Sequence, residues 1–282
     1  MITPVRTDPF IFRGAVNDAG YEWLKGIDGE LRLVPRRGPG RRFYLHEPHP
    51  GVFRDFAALQ PTQDAIKGFA DTYGDILDRH KGEQFAVRGD STVDFGTSLG
   101  RWRREIGDMR VIVSLWDQVQ NRQLSELKKI ITHSEKHLRY VVKTPKHEAR
   151  VTLAHADIPE SGWDRFDPED VLLPARCALQ MEINKRLSDT DTPSLVFPRL
   201  VWTPEYDQRI IFQPCNLLAA MWMQFAQAVT GKFQLKRCVV CGKGFQAGPG
   251  GKRADAITCS DSCRQRKKRE SEPKKKAHKS LR

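Results

Sequence analysis

Apolar residues recur every three or four positions over much of the central chain. This spacing covers residues 52–59, 62–73 and 98–134, and it is typical of helices that bury one face. Thr62 and Gly74 predict the two ends of the second helix. Further helices are predicted from residues 167–170 to about 187 and over 217–229, ended by Gly231. The longest stretch carries Trp102, Ile106, Met109, Val113, Trp116 and Val119.

Short strands are predicted on both sides of these helices. Residues 21–24 and 31–34 flank Asp28 and Gly29, a favoured hairpin turn, and residues 43–45 form a third strand. Weaker strands are predicted at 138–142 and 151–153, and a hairpin is predicted from 200–202 and 210–212. Residues 78–95 are polar and contain glycine, so we expect a loop there. Strands and helices do not alternate regularly, so the fold class is predicted to be α+β.

Positive charge is concentrated at the C-terminal end. The 282 residues carry a net charge of +12, and residues 236–282 hold 15 Lys/Arg against 4 Asp/Glu, or +11. The first 235 residues therefore carry only +1. This asymmetry indicates a polyanionic partner, with nucleic acid first and an anionic membrane surface second. The apolar run 217–223 is too short to span a bilayer and the start lacks a signal peptide, so we expect a cytoplasmic protein.

Four cysteines form two closely spaced pairs. A C-x2-C and a C-x3-C are separated by 17 residues, and four thiolates in this arrangement suit one structural Zn²⁺. The first pair predicts a knuckle, and the second, spaced i,i+4, would lie on one helix face. A hairpin is expected around residues 248–251. Two disulfides would need an oxidising compartment, and an iron–sulfur cluster usually has a tighter run of cysteines. The predicted ligands are Cys238, Cys241, Cys259 and Cys263.

These motifs resemble a bacterial treble-clef zinc finger. Cys-x2-Cys-Gly-x2-Phe is followed by a variable turn and Thr-Cys-Ser-Asp-Ser-Cys-Arg-Gln-Arg, and the preceding apolar helix is similar to that of the CGNR family. The resemblance covers about residues 215–268, and residues 263–266 read Cys-Arg-Gln-Arg where the family motif reads Cys-Gly-Asn-Arg. The last cysteine spacing is one residue shorter. The resemblance implies a knuckle, a hairpin and a ligand-bearing helix, in a DNA-binding regulator.

The sequence thus divides into an α+β body at 1–232, a zinc finger at 233–269 and a disordered basic tail at 270–282, with Pro273 ending the last helix. We expect a regulator that binds double-stranded DNA, with the body dimerising, sensing a ligand or contacting a partner. In the alternative, the finger is only a structural clamp in a protein–protein interaction or toxin–antitoxin component. The candidate phosphate contacts are Lys243, Lys252, Arg253, Arg264, Arg266, Lys267, Lys268 and Arg269.

Patterns that suggest catalysis have simpler explanations. Residues 96–100 match a nucleophile elbow, but Thr97 or Ser98 as a helix cap explains them too. His133 and His137 have the spacing of a helical zinc pair without the required glutamate, so we interpret them as a chance pair on a solvated face. Lys252 lacks the rest of a phosphate loop, and residues 238–268 contain no histidine for a nuclease site. The chain is therefore not predicted to be an enzyme, and an enzymatic body stays open as a third option.

Overall fold

The chain forms two compact units. One contains Phe10–Pro48 and Phe53–Ala226, here called the body, and the other contains Met1–Pro9, His49–Val52 and Gln227–Arg282, here called the metal module. The computed structural model describes residues 12, 14–26, 28–37, 43–46, 48–77, 85–87, 93–134, 139–143, 148–152, 169–188, 196–202, 208–231, 234–247, 252–253 and 255–271.

Seven helices lie in the described residues. The N-cap Thr62 accepts a hydrogen bond from the Ala65 N–H, and Gly74 ends the same helix with φ 96°, so both predicted ends are confirmed. The Asp170 carboxylate accepts from the N–H groups of Leu172 and Leu173 at the next predicted helix start. The helices are α1 Val52–Ala58, α2 Gln63–Tyr73, α3 Leu99–Gln120, α4 Leu124–Ile130, α5 Leu172–Ser188, α6 Leu217–Val229 and α7 Asp261–Ser271.

The strands pair only in antiparallel fashion among the described residues, in small sheets ordered β1-β4, β2-β3-β7, β5-β6, β8-β9-β10, β11-β12 and β13-β14. Mixed helices and short antiparallel strands confirm the α+β class. The strands are β1 Gly14–Asn17, β2 Tyr21–Lys25, β3 Leu31–Pro35, β4 Phe43–His46, β5 Phe85–Val87, β6 Val93–Phe95, β7 Thr97–Ser98, β8 Ile131–Ser134, β9 Arg139–Lys143, β10 Glu148–Thr152, β11 Val196–Trp202, β12 Gln208–Pro214, β13 Gln234–Arg237 and β14 Gly244–Ala247.

Helix α3 supplies the aromatic centre of the body. At one end the Trp102 ring lies 6.1 Å from Phe56 and 6.2 Å from Phe69, between centroids. At the other end the Trp116 ring lies 6.4 Å from Phe53, and the rings of α1 and α6 also meet there. All six predicted stripe residues of α3 are buried, which confirms that this stripe is core. Tilted and edge-on contacts of this kind add to the energy of simple apolar burial.

The predicted helix over 98–134 is too long. Helix α3 ends at Gln120, and Arg122 adopts the left-handed conformation with φ 49°, which stops the helical hydrogen-bond pattern. A separate short helix, α4, follows, and the chain then extends into β8. Residues 124–131 keep helical spacing, so periodicity alone does not locate the break.

The predicted loop at 78–95 contains two strands. β5 pairs with β6 in antiparallel register, with Phe85 opposite Phe95. Each strand has only three residues, too few for alternation of apolar and polar positions to stand out. The prediction of a loop is therefore wrong for these six residues, and 78–84 and 88–92 lie outside the described part. The hairpins predicted at 21–34 and 200–212 are confirmed as β2–β3 and β11–β12.

A buried ion cluster joins α3 to α5. The Arg186 guanidinium donates to Glu105 Oε2 at 3.0 Å, to Asp108 Oδ2 at 2.7 Å and to Glu182 Oε1 at 2.8 Å. It also lies over the Trp222 ring, 5.3 Å from the centroid. Burial raises the pKa of Glu105, although Arg186 beside it pulls that pKa down. Desolvation thus outweighs attraction, so these charges are costly unless they remain paired.

Replacing Arg186 with methionine is expected to lower the free energy of unfolding by about 3–5 kcal/mol, because the change leaves two buried carboxylates without their shared cation. Urea denaturation followed by circular dichroism measures this. The matched control is Lys129→Met. The Lys129 side chain is 68% exposed and its ammonium pairs with Glu126 on the surface. This change is expected to alter the free energy of unfolding by no more than about 0.5 kcal/mol. Equal losses in both variants would contradict a structural role for the cluster.

No helix within the described ranges combines the length and the apolar composition that crossing a bilayer requires.

Candidate metal centre

The four predicted ligands converge in the metal module. The ligand sulfurs of Cys238, Cys241, Cys259 and Cys263 all lie within 4.8 Å of one another. Cys259 Sγ is 3.4 Å from Cys241 Sγ and 3.7 Å from Cys263 Sγ. A tetrahedral ion with metal–sulfur bonds of about 2.3 Å requires sulfur–sulfur separations of about 3.8 Å. The cluster therefore has the size that one tetrahedral metal ion needs, and it can hold one.

The first cysteine pair lies in a knuckle closed by backbone hydrogen bonds. The Cys238 N–H donates to the Lys243 carbonyl at 2.9 Å, and the Gly242 N–H donates to the Cys238 carbonyl at 2.9 Å. Gly242 has φ 72°, a conformation that glycine adopts without steric cost. Strands β13 and β14 pair on either side of this knuckle, with Arg237 opposite Gly244.

This hairpin is additional to the one that the sequence predicts around 248–251. The β13–β14 turn is the knuckle itself, at 238–243. Residues 248–251 lie outside the described part of the chain, and beyond them Lys252 forms a parallel bridge with Ala247. The hydrogen bonds of the knuckle reverse the direction of the chain between Cys238 and Lys243, and the two strands that flank it can therefore pair with each other.

The second cysteine pair lies at the start of α7. Cys259 precedes the helix and Cys263 lies in its first turn. Ser260 Oγ accepts a hydrogen bond from the Cys263 N–H at 3.2 Å, which caps the helix between the two ligands. Only Cys263 is helical, so the prediction that both cysteines lie on one helix face is wrong. Cys259 precedes the cap residue, and Cys263 lies in the first turn.

The apolar cluster around the four cysteines is very small. Its buried residues are Cys238, Phe245 and Ala247, and the partly buried apolar residues packed against them are Val240, Ala256, Cys259 and Cys263. Three of these seven residues are the proposed metal ligands. A core of this size does not hold a domain together without a cross-link or a metal. Metal binding and folding are therefore expected to be coupled in this module.

The thiols of the cluster differ in acidity. Burial raises the pKa of Cys238, but N–H groups of Cys259, Cys241 and Val240 directed at its sulfur outweigh this and leave the pKa at about 6. Burial raises the pKa of Cys259, as do hydrogen bonds with neighbouring sulfurs, to about 12. One thiolate forms readily and a neighbouring one resists ionisation, so a central cation is what would make all four ionise together.

All six cysteines are free thiols in the structure. Cys177 is buried in α5, and burial raises its pKa, as expected for a small core residue. Within the described residues, the four ligands form the one group of three or more His, Cys, Asp or Glu side chains close enough to share an ion.

An unpredicted segment belongs to the same module. A methyl group on Gly244 would lie 3.2 Å from His49 Nδ1 and 3.3 Å from Gly51 Cα, so the loop at 49–51 rests against β14 beside the knuckle. This loop is almost 200 residues away along the chain. His49, Pro50 and Gly51 read as an ordinary turn, so the sequence carries no signal for this contact.

The structure places the candidate phosphate contacts on three parts of the module. Lys243 is exposed at the end of the knuckle, and Lys252 and Arg253 are exposed on the segment that leads to Cys259. The other candidates lie along α7, where Lys267 is half-buried. On that helix, the exposed candidates are Arg264, Arg266, Lys268 and Arg269.

Two of the patterns that suggest catalysis belong to ordinary structural elements. Ser98 Oγ accepts from the Arg101 N–H at 3.2 Å and so caps α3, which confirms the interpretation of residues 96–100 as a helix start. His133 lies in strand β8, so the helical spacing of the two histidines does not apply. His137 lies outside the described residues.

Comparison with known proteins finds no match among family models, curated proteins or solved structures. The similarity to CGNR-type fingers therefore stays a prediction from residues 215–268. The evidence for a metal centre is the distance between the four cysteine sulfurs.

Proposed function

We propose that the metal module holds one structural Zn²⁺ and presents a basic surface that binds nucleic acid, with double-stranded DNA as the preferred target and regulation as the role. The observation that carries the proposal is the convergence of four sulfurs within 4.8 Å at the base of an exposed basic helix. This is a binding role and not a catalytic one. Because the ligands must stay reduced, the proposal places the protein in the cytoplasm.

Zinc suits this donor set better than the alternatives. Four sulfurs around one point match a closed tetrahedral site, and zinc imposes no geometric preference that the chain would have to resist. Calcium and magnesium prefer oxygen ligands, and the cluster has none from carboxylates. All four positions are supplied by protein sulfur, so the ion would have a structural role and no open position for a substrate.

The exposed side of α7 supports the nucleic-acid assignment. At 100° per residue, Lys268 and Arg269 lie on the opposite side of the helix from Cys263 and the half-buried Lys267, and Arg264 and Arg266 lie on its two flanks. Arg264 pairs with Asp261 at 3.4 Å, but both side chains are more than 70% exposed. Such a surface pair is weak, so phosphate can replace the carboxylate. Basic residues near the helix C-terminus also complement the helix dipole, and that explains part of this pattern.

The contact of His49 and Gly51 with Gly244 favours a second candidate, a purely structural clamp. In that role the module fixes a distant loop, and its positive charge only keeps it solvated. The two candidates differ in one property, because only the first requires strong, salt-dependent binding of polyanions.

The test is a titration of the full chain on several DNA duplexes at increasing salt. If about six cations meet phosphates, log K is expected to fall with log salt at a slope near roughly −5. Deleting residues 270–282 removes five Lys/Arg and two Glu, so it should weaken binding to all duplexes equally and flatten the slope. Replacing Arg264 and Arg266 with glutamine should instead change sequence preference, if bases are contacted there.

The matched control is Lys128→Gln with Lys129→Gln, two exposed lysines of α4 in the body, which should leave affinity and slope unchanged. A dissociation constant above about 100 μM at low salt, where even non-specific binding proteins bind more tightly, would support the clamp. Binding that survives deletion of residues 233–282, the predicted finger and tail, would do the same.

A further inference from the structure

Two aliphatic side chains stand exposed side by side at the tip of the metal module. Val239 is 61% exposed and Ile257 is 47% exposed. The Val239 N–H donates to the Ile257 carbonyl at 3.1 Å, so the two backbones are held together. We name this pair the tip patch. It belongs to the knuckle and to the segment before Cys259, both of which the metal would fix in place.

The core of the module does not use the tip patch. Val240 and Ala256, the immediate neighbours of the pair, are the residues that pack against the buried cluster of Cys238, Phe245 and Ala247. The chain therefore turns one apolar residue inward and the next outward on both segments. The outward Val and Ile, joined by a backbone hydrogen bond, form a small apolar surface that a partner can cover.

Each of the two segments that carry the tip patch also carries a cation. The Lys243 carbonyl accepts from the N–H of Cys238, the neighbour of Val239, and the Arg253 carbonyl accepts from the N–H of Ala256, the neighbour of Ile257. Both basic residues are exposed. Arg253 pairs with Asp255 at 3.2 Å, with side-chain exposures of 86% and 73%, so this pair is open to exchange with another anion. Each segment thus offers one exposed aliphatic side chain and one exposed cation a few residues apart.

Resting on the proposed function, we propose that the tip patch contacts the bases of double-stranded DNA while Lys243 and Arg253 bind the phosphates on either side. Aliphatic side chains cannot bind phosphate, but they pack on thymine methyl groups or wedge against base steps in a groove. A cation on each of the two segments can bind the phosphates that border such a groove. A protein partner with an apolar surface would gain little from the two cations, so charge complementarity favours DNA.

The test uses the full chain with Val239→Ser and Ile257→Ser, alone and combined, on the same duplexes as above. Serine is uncharged and removes the methyl groups that would contact the bases. The double variant is expected to bind roughly tenfold more weakly, since apolar contact is lost. Its salt slope should be unchanged, because these side chains release no counterions. Lys243→Gln is the contrasting variant, expected to reduce the slope by about 1.

Metal content and circular dichroism of each variant establish that the module is intact. If the native chain binds duplexes and the double variant binds equally well, the tip patch is not a DNA contact while the proposed function stands. If the native chain does not bind duplexes, both the proposed function and this inference are wrong. Loss of self-association in sedimentation, with DNA binding unchanged, would assign the patch to a second copy of the chain and overturn the inference. An intact double variant with weaker binding and an unchanged slope supports it.

Discussion

Changing any one of the four ligand cysteines to serine is expected to release the metal and unfold the metal module while the body stays folded. Metal binding supplies about 10–16 kcal/mol in isolated zinc modules, far more than the small apolar core described here can replace. Metal analysis and amide hydrogen exchange measure the two effects. Exchange should become fast from β13 to α7 and stay slow in α3, where the tryptophans are buried.

The matched control is Cys177→Ser, a buried cysteine outside the cluster. It should leave metal content unchanged and cost only packing energy, about 0.5–3 kcal/mol. Cys215→Ser should likewise retain the metal. Loss of metal in either control, or retention in Cys238→Ser, would mean that the ligand set is wrong.

Replacing Gly96 with alanine is expected to prevent the body from folding. A Cβ at this position would lie 2.1 Å from the Leu33 carbonyl oxygen and 2.7 Å from its carbon, where β7 pairs with β3. The obstacle is backbone, so it cannot rotate away as a side chain does. The free energy of unfolding is therefore expected to fall by more than about 4–5 kcal/mol, which is among the largest effects of a single substitution. Thermal unfolding by circular dichroism, or the soluble yield if folding fails, measures it.

Gly68→Ala is the control for this substitution. Gly68 lies inside α2, and a Cβ there meets nothing within 4 Å. Alanine has the higher helix propensity, so the change should stabilise the protein by about 0.5–1 kcal/mol. If Gly96→Ala unfolds at the same temperature as the native chain, the close approach of residue 96 to β3 is not present in solution.

The sequence predicts best what depends on neighbouring residues. The ligand spacing of Cys238 and Cys241, the Thr62 cap and the apolar stripe of α3 are local patterns, and the structure contains each of them. The same holds for the hairpin at Gly29, whose φ of 81° fits the turn that the sequence indicates. Local geometry fixes these features, whatever the rest of the chain does.

Features that join distant parts of the chain could not be predicted. The contact of His49 with Gly244 and the pairing of Leu33 with Thr97 depend on where whole elements pack. The burial of Arg186 could not be predicted from the sequence, because it depends on three acidic residues on α3 and α5 that surround the guanidinium. The end of α3 at Gln120 could not be predicted either, since the helical spacing of apolar residues continues through α4.

The central claim is that four sulfurs hold one zinc ion, and elemental analysis of the purified full chain tests it most directly. Mass spectrometry of the metal content, combined with the visible spectrum after exchange with cobalt, should show one zinc per chain and the absorption of a tetrahedral four-sulfur site. A chain that is folded from β13 to α7 without metal would contradict the account. Iron with sulfide, or a disulfide between Cys241 and Cys259, would contradict it equally.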